Sequence, residues 1–155
     1  MKNKIVIFNI IIIALSLIAV FVSGISINKN SHYEEAKKEI IKLTEIYAAN
    51  YDDKITENVP KGIRVTVIDD TFKVIADSEE DSVVGSFHTN REEIEKALSG
   101  TPEVIKRYSS SLKKDLVYYA LKVNTGTSYV FVRVAIPVES VNEYTTKTVP
   151  IMILV

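Results

Sequence analysis

The chain has 155 residues, with 19 lysines and arginines against 20 aspartates and glutamates, for a net charge of −1. That balance leaves no electrostatic footprint for nucleic acid. Cysteine is absent and there are only two histidines, which excludes a disulfide framework and a zinc-ligand spacing; no metal or cofactor is expected.

From Ile5 to Ile27 the chain carries no charge: IVIFNIIIIALSLIAVFVSGISI. As a helix this run would be about 35 Å long, enough to cross a hydrocarbon core of about 30 Å. A secretory signal peptide is the competing reading. Its apolar region is usually about 7–15 residues and ends at a small-residue cleavage site, for which Val22-Ser23-Gly24 is a weak candidate. The length favours an uncleaved transmembrane helix over 5–27. Lys2 and Lys4 precede it, and the positive-inside rule then puts residues 1–4 in the cytoplasm and the rest outside the cell membrane.

Residues 28–60 read as a long juxtamembrane helix. Tyr33, Ala36, Ile40, Leu43 and Tyr47 recur at alternating spacings of three and four, with Ser31 and Glu34 placed as a capping box. Such a stripe serves a helix packed on its own domain, or one paired with its twin in a homodimer. Pro60-Lys61-Gly62 stops it.

The outer domain, 61–137, begins with two short strands, Ile63–Ile68 and Phe72–Asp77, around a turn at Asp69-Asp70. A polar stretch from Ser78 to Thr89 follows. NREEIEKALSG then carries the marks of a short helix: Asn90 as cap, Glu93 three residues on, an apolar stripe of Ile94, Ala97 and Leu98, and Gly100 as terminator. Three more strands are predicted: Val104–Ser109, Leu116–Val123 and Tyr129–Ile136. The last two are apolar on both faces, so both faces must be covered. The long helix would cover one; the short helix and Ser78–Thr89 would close a pocket over the other. The predicted fold class is α+β, with a five-stranded antiparallel sheet. A polar exit helix is expected over 138–148. The apolar run 149–155 reads as the start of a second, truncated membrane span, a last buried strand being the alternative.

The segments RVTVID, VIADSE, HTNREEIEKAL, RYSSSL, DLVYYALKV and VFVRVAIPVESV, in this order, resemble the extracytoplasmic PAS-like (single Cache) domain of membrane sensor histidine kinases, and among them the phosphate-regulon sensors of Gram-positive bacteria. The resemblance covers roughly residues 64–141. Its marks are Asp77-Ser78, His88, Arg91, Arg107, Ser109, Tyr118 and Arg133; the sequence departs from it at Thr71-Phe72, where a glycine is usual, and at Glu92, where proline is common. It implies the input module of a two-component system, lacking the kinase core. The parent protein would be an ATP-dependent protein-histidine kinase that meets its cytoplasmic response regulator through the absent part. A chemoreceptor, a cyclic-dinucleotide enzyme or a plain membrane-anchored binding protein are the alternatives.

No glycine-rich phosphate loop or nucleophile–base constellation occurs, so no catalytic residue is expected. What remains is binding. The candidates are polar residues on an otherwise apolar sheet, Arg107, Tyr108, Tyr118 and Arg133, with His88 and Arg91 in the segment that caps it. Arginines facing one pocket would take a small anionic ligand or a cell-envelope component. Alternatively Arg133 pairs with Asp77 or Asp115, His88 anchors a loop, and Asp77-Ser78 forms a turn.

Overall fold

A computed structural model of the chain describes residues 2–109 and 113–138, without the side chains of 2–4 and 26–30. The expected exit helix, apart from Val138 itself, and the apolar run 149–155 lie outside the described residues. Helix α1 spans Lys2–Ala49, and the chain divides into two units, Met1–Glu34 and Glu35–Val155.

In the first unit, Ile5–Ile25 is long and apolar enough to cross a membrane, and its side chains are exposed. A signal sequence meets the same criterion. Because α1 runs through Ser31, that residue starts no helix and Ser31-Glu34 is not a capping box. The helix also stops at Ala49, well before Pro60. Asn50 closes it, its backbone N–H and its side-chain amide both donating to the Ile46 carbonyl (3.1 and 2.8 Å). Residues 53–58 then form turns.

In the second unit the buried stripe of α1 is Ala36, Ile40 and Thr44, spaced by four; the Thr44 hydroxyl donates to the Ile40 carbonyl at 2.7 Å. Of the expected seam, Ala36 and Ile40 are fully buried, Leu43 and Tyr47 are half-buried, and Tyr33 belongs to the first unit. The centre of that stripe is therefore spent on the domain itself.

The sheet consists of β1 (Arg64–Asp69), β2 (Val74–Asp77), β3 (Ile105–Ser109), β4 (Lys114–Asn124) and β5 (Tyr129–Pro137), antiparallel throughout in the order β2-β1-β5-β4-β3. Helix α2 (Glu92–Leu98) falls between β2 and β3 in sequence. The register Val65↔Val134↔Tyr119 and Val67↔Val132↔Leu121 assigns one face to branched aliphatic side chains, which suit a pleated, buried surface. On this face burial raises the Tyr119 pKa, and the Glu45 charge on α1 adds to it. The opposite face carries Arg64, Thr66, Arg133, Tyr118, Ala120 and Arg107, with α2 above it.

The turn between β1 and β2 shows how local chemistry fixes a register. Asp69 Oδ1 accepts from the N–H groups of Thr71 and Lys73 and from the Thr71 hydroxyl (2.9, 3.0 and 2.7 Å). Phe72 is thereby held at φ +65°, a left-handed conformation that costs a side-chain-bearing residue about 1–2 kcal/mol. Its ring stacks on Phe131 at 6.0 Å, which offsets that cost. The position where a glycine is usual in the resembled domains is thus the strained one.

Candidate functional site

Arg133 sits mid-strand on β5, the central strand, and is 4 % exposed. Its rung across the sheet reads Asp77–Thr66–Arg133–Ala120. The small neighbours leave room for a guanidinium between the sheet and α2. A buried cation needs both a counter-ion and hydrogen-bond partners. Arg133 Nη2 donates to Thr66 Oγ1 (3.0 Å), and Nη1 reaches Glu93 Oε1 (3.4 Å) and His88 Nδ1 (3.3 Å). Its Nε finds no partner among the described residues.

Arg107, on the same sheet face, gives a two-pronged contact to Glu93, Nη2 to Oε1 at 3.2 Å and Nη1 to Oε2 at 3.3 Å. Its guanidinium also lies 4.2 Å above the Tyr118 ring, a cation–π arrangement. Glu93 is therefore the counter-ion of both arginines, and the pairings of Arg133 with Asp77 or Asp115 do not occur. Asp77 takes Arg64 Nε at 3.1 Å, while Asp115 takes Lys106 at 3.1 Å. The Glu93 side chain has no exposed surface. Burial raises its pKa, but the Arg107 hydrogen bonds and the Arg133 charge prevail and hold it below the usual carboxylate value.

His88 is pushed down to about 4, first by burial and then by the Arg133 and Arg91 charges. Near neutral pH it is uncharged. A guanidinium only donates, so Nδ1 must be the acceptor of the Arg133 bond and Nε2 carries the ring proton.

All six sequence-predicted residues, His88, Arg91, Arg107, Tyr108, Tyr118 and Arg133, line one cavity of about 240 Å³, together with Arg64, Glu80, Val83 and Ser109. Tyr108 is out of phase with Arg107 on its strand and is exposed, so it stands at the rim. Arg64 reaches Glu80 at 3.3 Å as well as Asp77, and ties the segment after β2 to the sheet. Asp77-Ser78 is a turn former: Asp77 Oδ1 accepts from the N–H groups of Glu79 and Glu80 (both 3.0 Å), and Ser78 Oγ from that of Val65 (2.9 Å).

The residue missed in the sequence is Glu93, taken there for a capping-box acid. The N-cap is Arg91, not Asn90, and no side-chain cap bond forms. A signal existed: Glu93, Ile94 and Ala97 share the buried stripe of α2, and an acid on an apolar stripe needs a cation. Arg64 and Thr66 were legible by alternation, being opposite in phase to Val65 and Val67. Among the described residues no cluster of potential metal ligands is present. No protein-family model matches the chain, and no curated protein matches it.

Proposed function

We propose that this chain is the extracytoplasmic input module of a two-component sensor histidine kinase, anchored in the cell membrane by its apolar helix and acting as a homodimer. The observation that carries this reading is the arginine-lined cavity on one face of the sheet, in a chain whose first unit is a helix able to span a bilayer. The sheet order β2-β1-β5-β4-β3, with α2 packed on one face, supports a PAS-like domain. The cavity is built from strands, from the segment after β2 and from Arg91 ahead of α2. An occupant touching all three would favour one arrangement of roof on sheet over another, which is what an input module requires. In this reading the kinase core, which would use ATP and meet the response regulator, lies in a cytoplasmic part of a longer protein.

The test uses that longer gene product in native membranes. ATP-dependent phosphohistidine is expected to form, and its level to change in Arg91→Gln and Arg107→Gln at equal membrane abundance. A product that forms no phosphohistidine would move the module to a chemoreceptor or a cyclic-dinucleotide enzyme. An output indifferent to both substitutions would sink the sensing role of the cavity.

A further inference from the structure

The cavity has charge left over. Arg64 is matched by Asp77 and Glu80, and Glu93 is shared by Arg107 and Arg133. His88 contributes no charge near neutral pH. Four guanidinium groups line the cavity, counting Arg91, and three carboxylates are bonded to them. Among the described residues one positive charge is therefore unmatched. Arg91 is the arginine without an acidic partner among those residues, and it is half-buried at the entrance to α2.

Taking the cavity to be the binding site of the proposed module, we infer that its ligand is a small monoanion, a monocarboxylate of a few carbon atoms held by Arg91, rather than a dicarboxylate or phosphate. One negative charge completes the balance. A second would face Glu93 and Glu80 with no cation left to neutralise it, and like-charge juxtaposition in a partly desolvated site is strongly unfavourable. The planar fork of a guanidinium matches the two oxygens of a carboxylate. With Nδ1 engaged by Arg133, His88 offers its Nε2–H as a neutral donor, suited to a ligand oxygen that carries no further charge. The volume of about 240 Å³ lies below the range of about 300–1,000 Å³ usual for drug-sized ligands, and Val83 and Tyr118 supply apolar wall for a short carbon chain.

The experiment is calorimetric titration of the full chain in detergent micelles with acetate, lactate and pyruvate against succinate, citrate and phosphate, at one fixed ionic strength so that screening is constant. At least one monocarboxylate is expected to bind about tenfold or more tighter than any of the multiply charged anions. Arg91→Gln should weaken it by about tenfold or more, the loss expected for one charge-assisted contact, without changing the melting temperature of the unliganded protein. Glu80→Gln leaves two positive charges unmatched and should shift the preference toward succinate. Preferential binding of succinate, citrate or phosphate to the unaltered chain, weakened by Arg91→Gln, would overturn the charge assignment while keeping the cavity as a ligand site. If no anion binds, or if Arg91→Gln leaves binding unchanged, the assignment to Arg91 falls and the cavity loses its support as the sensing site.

Discussion

Glu93 accepts from two guanidinium groups while having no surface of its own. Removing its charge strands Arg133 in the interior without a counter-ion, a change that costs about 3–5 kcal/mol. Glu93→Gln should therefore lower the melting temperature of the full chain in micelles by about 10 °C or more. Arg107→Gln should lower it much less, because Glu93 keeps Arg133 as its counter-ion and the Arg107 pair is the partly exposed one. Equal losses would mean that Arg133 does not depend on Glu93. The same cluster sets a pH response. His88 has a folded pKa of about 4, depressed by burial and by Arg133 and Arg91, and Glu93 is also held low, its ion pairs outweighing burial. Below about pH 6.5 the unfolded chain thus binds more protons than the folded one, so stability is complete above that pH and declines toward pH 4, first through His88 and then through Glu93. His88 is only half-buried, and solvent screening limits its share to the order of 1 kcal/mol. Melting curves between pH 7.5 and 4.5 should show the decline, and His88→Asn, which keeps an acceptor but cannot ionise, should flatten it. An unchanged slope in that variant would assign the decline to other groups.

At the scale of elements, two features of α1 and the first hairpin carry expectations. Ile40 is fully buried in the domain. Ile40→Ala should cost about 2–4 kcal/mol through lost burial and the cavity left behind. A cysteine at Ile40 should crosslink poorly between chains, whereas one at Ile46, 49 % exposed, is accessible. Efficient crosslinking at Ile40 would mean that this stripe faces a second chain instead. Phe72→Gly relieves a left-handed backbone but forfeits the stack on Phe131. The ring removed is large and packed against the core, so a net loss of about 1–2 kcal/mol is expected by denaturant melts. A stabilised variant would show that backbone strain outweighs the aromatic contact. These elements also explain where the sequence misled. Ser31-Glu34 had the chemistry of a helix start, but α1 runs through it unbroken. Pro60-Lys61-Gly62 had the chemistry of a stop, but Asn50 had already turned the chain back on Ile46.

For the molecule as a whole, the testable quantity is sidedness. Ser82 is exposed, in the segment that roofs the cavity. A cysteine placed there should react with an impermeant thiol reagent in intact cells if the domain lies outside the membrane, and labelling only after lysis would reverse the orientation. The apolar N-terminal run, the α+β class, the five strands and the short helix were all legible in the sequence, because each depends on periodicity and turn chemistry within a window of a dozen residues. So were Arg107 and Arg133, since a charged residue stands out on an apolar strand. Which carboxylate neutralises which arginine was decided by tertiary structure alone. Glu93 precedes Arg133 by 40 residues, and only the antiparallel register that brings β5 to the centre of the sheet, with α2 laid across it, puts the two within 3.4 Å. Local sequence sets the identity of the charges; the pairing is a long-range packing outcome that balances desolvation against Coulomb attraction, and among the described residues it leaves Arg91 without an acidic partner.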